Sequence, residues 1–360
     1  MTANQILRSI QAICKGAWKR HVVNLALLVQ AAFECRRLGI AALGRAMRCA
    51  TSPKHSIKRA DRFFGNARFD HWAAQEQLLR AVIGPRKTVF VPVDWTKVRE
   101  WPALVAGVVW RGRAVPVAWA VLGDRALYKS QNAFENGFFT WLAQALPEGV
   151  RAIILLDRGF QRVSLVKHLR RCGLSFVIRT GGNVAVRHPA YTGRMDELLQ
   201  KHGDVADLPA ASLHSRTPTR VRVVGLWERR QKEPWLLMTD LEDDVTTVAA
   251  AYARRFRIEE TFRDEKDTRF GLALGQLKMT KADRLERMLF VAALVHFIAM
   301  LVGGAARRLG LDRHYRANTV RTKATHSDFT LGLFFLVRLQ LNFSELLRDC
   351  FSEAEREFWG

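Results

Sequence analysis

Two acidic residues follow apolar, strand-like runs of the chain. Asp94 closes the β-branched run at 88–93, and Asp157 closes the nearly all-apolar run at 152–156. In open α/β sheets ligands bind at the carboxyl ends of the strands, so two carboxylates emerging there can converge on one metal ion. An aspartate in such a place is also common in loops and helix N-caps, and for either residue alone this ordinary role is the commoner one. The stronger signal lies downstream.

The stretch 252–266 carries four polar side chains at helical spacing. They stand at positions i, i+3, i+7 and i+14 and are Tyr252, Arg255, Glu259 and Lys266. At about 100° per residue, these positions share one stripe roughly 60° wide on a helix. The arrangement suits a carboxylate delivered to a metal ion, flanked by cations and a phenol that can hold a phosphate backbone.

The same stretch also has an ordinary structural interpretation. Ile258 and Phe262 point away from the polar stripe and can anchor the helix on a sheet. Glu259 could simply pair with Arg255 or Arg263 on the helix surface, as residues three or four apart do. The spacing therefore favours a site without excluding a surface ion pair.

Strand-like and helical patterns alternate around these candidates. After the run that ends at Asp94, further strands are predicted at 104–110, 114–121, 152–157 and 174–179, with helices at 132–146 and 163–171. The nearly all-apolar run before Asp157 is typical of a strand buried on both faces. The order βββαβαβ predicts an α/β fold, with a mixed sheet covered by helices on both sides.

The chain divides into five segments by composition and periodicity. Residues 181–245 contain four prolines, several glycines and short strands at 220–226 and 235–239, and they interrupt the α/β pattern. Helical patterns dominate before and after the strands. We predict a helical N-terminal domain at 1–85, the first part of a core at 86–180, a β-rich insertion at 181–245, core helices carrying Glu259 at 246–310, and a helical C-terminal tail at 311–360.

The N-terminal segment has the features of a DNA-contacting domain. Ser52-Pro53 predicts a helix start, and Lys54, Lys58 and Arg62 then recur every four residues on one face. Such a stripe is often only a solvated face. Residues 1–70, however, hold 13 Lys and Arg against three acidic residues. This local excess favours a DNA-contacting helical domain.

The whole chain is strongly basic. Its 360 residues contain 57 Lys and Arg against 34 Asp and Glu, a formal net charge of +23. Charge of this size is costly through self-repulsion unless a polyanion neutralises it, and nucleic acid is the usual partner. A cationic membrane binder is the alternative.

Targeting and redox features point to a reducing cytoplasm. The five cysteines are scattered, with no C-x-x-C pair, which argues against a disulfide framework or a zinc site. The N-terminus is amphipathic and unlike a signal peptide. The apolar segment at 288–306 barely reaches the roughly 20 residues that a membrane span needs, and we predict a buried core helix there.

These motifs together resemble one family. The spacing Y-x2-R-x3-E-x6-K, preceded by aspartates in VPVDWT and LLDRGF, resembles the insertion-sequence-four group of DDE transposases, which carries the YREK signature. The resemblance covers nearly the whole chain, from the helical N-terminal domain through the β-rich insertion to the glutamate-bearing helix. Short motifs are hypotheses until their structural context is known.

The resemblance implies a fold, an activity and a cofactor. The fold would be like ribonuclease H, with Asp94, Asp157 and Glu259 as the catalytic triad. Two Mg²⁺ ions, for which Mn²⁺ can substitute, would activate the attacking oxygen and stabilise the leaving oxygen. In the family the same site hydrolyses the element's end and then uses the freed 3′-OH to attack target DNA, in bacterial cut-and-paste transposition.

The resemblance also implies DNA contacts. Tyr252, Arg255 and Lys266 match residues that contact DNA near the scissile phosphate. Trp235 matches a tryptophan that holds a flipped base, although it also begins an apolar strand and could be core. The segment Ser56-Ile-Lys58-Arg59-Ala-Asp-Arg62 is similar to the family's N-terminal DNA-binding helix, which adds Arg59 to the predicted DNA contacts.

The expected partners are double-stranded DNA, as element ends and target, and a second copy of the chain. Some relatives dimerise through a long C-terminal extension, whereas the predicted helices here end near residue 358. Two other functions remain open. One is a nuclease of the same fold without strand transfer, which would need no end-binding domain. The other is a non-catalytic DNA-binding protein, which loss of a triad carboxylate would have indicated.

Overall fold

The computed structural model describes residues 3–14, 18–123, 127–213, 219–317, 319 and 324–338. Within these ranges the chain is mixed α/β, with one ten-stranded sheet flanked by helices. The described cysteines Cys14, Cys35, Cys49 and Cys172 are free thiols, and Cys350 lies outside the described residues. The predicted α/β class is confirmed.

Five helices precede the first strand. They are α1 (Ala3–Ile13), α2 (Lys19–Cys35), α3 (Ile40–Ala46), α4 (Pro53–Phe64) and α5 (His71–Ile83). Helix α4 begins at Pro53, as predicted, but the Ser52 hydroxyl bonds to His55 Nδ1 at 2.8 Å and caps no backbone N–H. Helix α5 is capped by Asp70, which accepts from two backbone N–H groups. Helices α3 and α4 cross so closely that a Cβ on Gly44 would lie 2.5 Å from Ile57 Cα.

The sheet contains a parallel centre with antiparallel wings. Its strands are β1 (Thr88–Val98), β2 (Trp101–Trp110), β3 (Arg113–Val121), β4 (Arg151–Leu156), β5 (Ser175–Arg179), β6 (Ala185–His188), β7 (Tyr191–Arg194), β8 (Val205–Leu213), β9 (Thr219–Leu226) and β10 (Trp235–Thr239). Their order is β3-β2-β1-β4-β5-β10-β9-β8-β6-β7. Strands β1, β4 and β5 run parallel, while β1–β2–β3 and the strands beyond β5 pair antiparallel.

The β-rich segment extends the sheet and is not a separate layer. Strand β10 pairs with β5 along Leu237–Thr239 and with β9 on its other side. The backbone groups on the free side of β5 are thereby satisfied, as buried strands require. The segment therefore continues the core sheet directly from β5.

Six further helices follow β3 in the described part of the chain. They are α6 (Leu127–Ala145), α7 (Val163–Arg171), α8 (Val245–Ala253), α9 (Phe256–Lys266), α10 (Ala282–Arg308) and α11 (Asp328–Arg338). The N-terminal helices, the sheet and α10 share one continuous hydrophobic core. Of the predicted C-terminal tail, a 3-10 turn at Leu311–Tyr315 and α11 are described, and residues 339–360 lie outside the described residues.

Helix α10 is the one described helix long and apolar enough to cross a membrane by length and composition. Its most apolar 18-residue window is 94% buried inside the protein. It packs so tightly on α11 that a Cβ on Gly303 would lie 1.8 Å from the Asp328 carbonyl oxygen. Its place in the structure is that of a core helix, as the sequence predicts.

Candidate active site

Asp94 and Asp157 occupy matching positions on neighbouring parallel strands. Strands β1 and β4 pair as far as Pro92 and Leu155, and continuing that register by two residues places Asp94 beside Asp157. Adjacent strands lie roughly 5 Å apart, so the two carboxylates emerge side by side. The carboxyl ends of parallel strands are where open α/β sheets bind ligands.

The sequence prediction for Asp94 needs one correction. Asp157 directly follows β4, but Asp94 lies inside β1, which continues to Val98. The extra residues are strand because they pair with β2, where Asp94 faces Val105. Asp94 therefore lies just beyond the end of the β1–β4 pairing, although it is not at the end of β1 itself.

Backbone hydrogen bonds fix both carboxylates. Asp94 Oδ1 accepts from the Trp95 N–H at 2.8 Å. Asp157 is the N-cap of a short 3-10 turn and accepts from the Gly159 N–H at 2.9 Å. Each aspartate keeps its second oxygen free of these backbone bonds, and the two acids remain acceptors for further groups.

The stretch 252–266 is not the single helix that its spacing predicts. Helix α8 ends at Ala253 and α9 begins at Phe256. Between them the N–H of Arg255 bonds to the Tyr252 carbonyl oxygen at 2.8 Å, and the N–H of Ile258 bonds to the Arg255 carbonyl oxygen at 3.2 Å. These bonds span three residues, which tightens the chain into a 3-10-like junction. Ile258 is buried and anchors α9, as predicted.

Arg255 lies between two of the three predicted ligands. Its guanidinium approaches Asp94 Oδ2 at 3.5 Å through Nη1 and pairs with Glu259 Oε1 through Nη2. The Arg255 residue is 6% exposed and its guanidinium lies 4.6 Å from the ring centre of Phe256. Glu259 thus forms the ion pair with Arg255 that its ordinary structural interpretation predicts. The same arginine also contacts Asp94.

Negative charge is concentrated at Asp94. Burial, the Asp157 carboxylate and Glu259 raise its pKa from 3.8 to about 6, against the opposing effect of Arg255. A carboxylate that costs free energy to ionise in the folded protein is characteristic of functional sites. The Asp94 carboxylate is therefore electrostatically strained in the folded protein, even with Arg255 beside it.

The Asp94→Asn variant is expected to be more stable than wild type in metal-free buffer at pH 7.5. A raised folded-state pKa means that protonated Asp94 favours folding below pH 4, and this advantage is lost as the pH rises through 6. The side chain is 19% exposed, and the rise of its pKa from 3.8 to about 6, discounted for relaxation, corresponds to about 1–2 kcal/mol in the free energy of unfolding.

Urea denaturation from pH 4 to 8 in EDTA measures this difference. The gain of Asp94→Asn over wild type should shrink to zero near pH 4. The exposed Asp243→Asn serves as the matched control and should show no such trend. A pH-independent gain would mean that the strain is not electrostatic.

The three predicted carboxylate ligands suit a hard divalent cation chemically, but they do not lie close enough together to share one ion. All three predicted ligands offer oxygen, which Mg²⁺ prefers. Among the described residues, however, no group of three His, Cys, Asp or Glu side chains is close enough to hold a metal ion. The aspartate pair fits such an ion by position, whereas Glu259 is 44% exposed and held by Arg255. Glu259 would have to exchange that partner.

An aromatic cluster adjoins the predicted acidic residues. Tyr252 is 1% exposed and packs edge-to-face against Trp235, with ring centres 5.1 Å apart. Trp235 begins β10, is half-buried and stacks on Phe256, which is 36% exposed. Burial raises the pKa of the Tyr252 phenol. In this conformation Tyr252 is core, and Phe256 offers the accessible ring.

Lys266 is joined to β1 at the other end of α9. Its Nζ donates to Thr96 Oγ1 at 2.8 Å, two residues after Asp94. Burial lowers the pKa of the ammonium. The predicted DNA contact at Lys266 therefore lies near the aspartates and is already positioned by β1.

The predicted basic residues of α4 face solvent with one exception. Lys54, Lys58 and Arg62 are exposed, while Arg59 is half-buried and donates to Asn24 Oδ1 at 2.7 Å. Lys58, Arg59 and Arg62 line a cleft of about 800 Å³. Its other basic residues are Arg20, Arg68 and Arg284, and Asp61, which pairs with Arg284, is its only acidic residue among those described.

Arg179 is a residue that the motif search missed. It ends β5, and the β4–β5 register continues from Leu156 and Ile178 to place it beside Asp157. Asp94, Asp157 and Arg179 thus form one row across three parallel strands. Glu233 Oε2 accepts from both Arg179 at 3.0 Å and Arg158 at 2.9 Å. The predicted strand at 174–179 ends at Arg179. Pairing it in register with the predicted strand at 152–157 would have placed Arg179 beside Asp157.

Comparison with known protein families gives one match. Residues 128–298 match the model of the transposase DDE domain, a little under half of the chain. The match contains Asp157, Glu259 and the Tyr252–Lys266 stretch, and it begins after Asp94. No curated protein matches the chain. The domain match, together with the helix-flanked mixed sheet, supports a DDE transposase, a class of DNA-acting enzymes that generally uses divalent metal ions.

Proposed function

We propose that the chain is the transposase of an insertion sequence of the insertion-sequence-four group. It would bind the element's terminal inverted repeats, hydrolyse the DNA at each end and join the freed ends to target DNA. The observation that carries the proposal is the row formed by Asp94 and Asp157 on parallel strands, with Glu259 connected to Asp94 through Arg255. The transposase DDE match across Asp157 and Glu259 supports it.

The strand order supports a ribonuclease H-like core. The first five strands lie in the order β3-β2-β1-β4-β5, with an antiparallel β1–β3 meander followed by two strands parallel to β1. Helices α6 and α7 provide the crossovers from β3 to β4 and from β4 to β5. We infer that residues 86–180 and α8–α10 form this core, and that β6–β10 are the family's β-rich insertion.

Asp94, Asp157 and Glu259 would hold the divalent ions. When bound, two such ions supply an activated attacking oxygen and charge stabilisation of the leaving oxygen. In the first reaction a water oxygen bonds to phosphorus as the bond to the 3′-oxygen breaks. In the second, that 3′-oxygen bonds to a target phosphorus and displaces the target's own 3′-oxygen. Arg179 and Lys266 flank the aspartates as cations for the phosphates on either side of the scissile bond.

The aromatic cluster beside the site can receive an unstacked base. Phe256 and Trp235 are stacked with ring centres 6.2 Å apart, and Phe256 is accessible. Stacking on an aromatic ring offsets the cost of extruding a base, which is a few kcal/mol. This supports the predicted role of Trp235, with Phe256 as the accessible face.

Helix α4 and its cleft are the proposed end-binding surface. Exposed Lys54, Lys58 and Arg62 lie beside a concave basic surface that also contains Arg20 and Arg68. Duplex DNA presents closely spaced phosphates, and each one neutralised releases condensed counterions. Part of the net charge of +23 is concentrated on this one surface. A face that only contacts solvent does not require such a concentration of cations.

The double variant Lys58→Ala/Arg62→Ala is expected to weaken DNA binding in a salt-dependent way. Two lost phosphate contacts should reduce the slope of log affinity against log salt by about 2. Fluorescence anisotropy with end DNA from 50 to 300 mM KCl measures it. Arg187→Ala/Lys201→Ala removes two exposed cations from the far part of the sheet and should leave the slope unchanged. Equal slopes in both variants would place the DNA elsewhere.

The proposal is tested by cleavage and joining with the wild-type chain. Radiolabelled element ends are incubated with Mg²⁺, with Mn²⁺ and with EDTA, together with a supercoiled target plasmid. We expect metal-dependent cleavage at the end, joining to the plasmid, and a complex containing two chains and two ends. Cleavage of branched DNA without joining would instead identify a nuclease, and binding without cleavage a DNA-binding protein.

A further inference from the structure

A buried carboxylate on α6 connects the two segments that carry Asp94 and Asp157. Glu135 is 2% exposed and accepts hydrogen bonds from three side chains. The donors are Trp95 Nε1 at 2.9 Å, Gln131 Nε2 at 3.0 Å and Arg162 Nη1. A buried charge is costly unless it is paired and fully hydrogen-bonded, and Glu135 meets both conditions.

Trp95 connects Glu135 to β1. It directly follows Asp94, whose Oδ1 accepts from the Trp95 N–H. The indole ring stacks on Phe134 with ring centres 5.7 Å apart, and its Nε1–H points to Glu135. The residue after the first aspartate is therefore held by α6 through both its ring face and its polar edge.

Arg162 connects Glu135 to the segment after β4. It is the N-cap residue of α7 and lies five residues beyond Asp157, after the 3-10 turn that Asp157 caps. Besides Glu135, its guanidinium donates to Asn136 Oδ1 at 2.8 Å and to the Asn132 carbonyl oxygen at 3.2 Å. The turn that follows the second aspartate is thus attached to the same helix.

We propose that Glu135 is a positioning residue that sets the separation and orientation of Asp94 and Asp157 for a divalent cation. The inference rests on the proposed function, since it assumes that this pair binds metal. Backbone pairing of β1 with β4 ends at Pro92 and Leu155, two residues before the aspartates. Glu135 supplies a connection beyond that point. Outer-shell partners of metal ligands typically change metal affinity or activity by about 10–100-fold.

The test measures Mn²⁺ binding to the full chain by calorimetry, without DNA. Glu135→Gln keeps an acceptor for Trp95 but removes the charge opposite Arg162, and should raise the dissociation constant about 10-fold. Trp95→Phe keeps the stacked ring and removes the Nε1–H donor, and should raise it by a smaller factor. Both substitutions break the same connection. The dissociation constant of the double variant should therefore rise by less than the product of the two single-variant factors.

Glu286→Gln is the matched structural control. Glu286 on α10 accepts from the Val121 N–H at 3.0 Å and contacts His71, away from the aspartates. It should lower the melting temperature and leave the Mn²⁺ dissociation constant unchanged. Asp157→Ala should lose Mn²⁺ binding, which identifies the site being measured.

The outcomes separate this inference from the proposed function. If wild type binds Mn²⁺ and cuts DNA, while Glu135→Gln binds Mn²⁺ equally well, the positioning role is wrong and the proposed function stands. If wild type neither binds Mn²⁺ nor cuts, both are wrong. Should Glu135→Gln fail to fold, Trp95→Phe decides, and an unchanged dissociation constant in that variant overturns the inference.

Discussion

Asp157→Ala and Glu259→Ala should each abolish metal-dependent cleavage of the element's end, with a rate at least about 10³-fold below wild type. Asp157 is the aspartate directly beside Asp94 in the β1–β4 register, and Glu259 is connected to Asp94 through Arg255. On the proposed function, these carboxylates would hold the divalent ions, and losing one of them would remove the charge stabilisation that the ions supply. This is the largest functional effect expected anywhere in the chain.

Single-turnover cleavage and anisotropy on the same labelled DNA measure the effect. DNA affinity should stay within about threefold of wild type, because on the proposed function phosphate contacts from the basic surface would supply most of the binding. Glu242→Gln, an exposed acid outside the site, should cut at the wild-type rate. If Glu259→Ala cuts normally while Asp157→Ala does not, Glu259 is only the surface partner of Arg255, and the third ligand lies elsewhere.

Arg255→Ala should show the largest loss of stability among the site variants. Arg255 is 6% exposed and is the cation that contacts both Asp94 and Glu259 in this structure. Its removal leaves Asp94 and Glu259 without this ion-pair partner and creates a void beside Phe256. Breaking a buried ion pair from one side costs about 3–5 kcal/mol, and because Glu259 is partly exposed we expect about 2–3 kcal/mol in the free energy of unfolding.

Urea denaturation in EDTA and in 10 mM Mg²⁺ tests this. Mg²⁺ should restore part of the stability lost by Arg255→Ala, because on the proposed function the ion would bind at Asp94 and Asp157 and would replace the missing positive charge. Arg257→Ala is the matched control on the same helix. Arg257 pairs with Glu260 near the surface, and its loss should cost less than about 1 kcal/mol. An equally small cost for Arg255→Ala would show that its contacts in the folded protein contribute little.

Local patterns predicted the type and approximate bounds of many elements. The predicted bounds of α7 (Val163–Arg171) and β10 (Trp235–Thr239) coincide with the observed ones. Apolar runs with period 2 or 3.6 state which face of an element is buried, and they do so within a few residues of sequence. The positions of Asp94, Asp157 and Glu259 relative to those runs predict an acidic site, which stays a prediction.

Helix continuity could not be predicted from the same patterns. A stripe computed at 100° per residue assumes an unbroken α-helix from Tyr252 to Lys266, yet the chain tightens at Arg254 and Arg255. A single 3-10 turn within a helical stretch changes the spacing of side chains too little to be seen in a sequence pattern. The junction allows Tyr252 to enter the core while Glu259 stays exposed.

The sequence alone thus determined which residue types stand near the carboxyl ends of which strands, since this depends on local periodicity. Strand register was decided only by the tertiary structure, because pairing joins residues far apart in the chain. Register placed Asp94 beside Asp157 although β1 runs on to Val98, and it added Arg179 to the same row. Packing of α6 brought Glu135 to Trp95 and Arg162, 40 and 27 residues away. No local pattern encodes such contacts, since they form only when the layers pack.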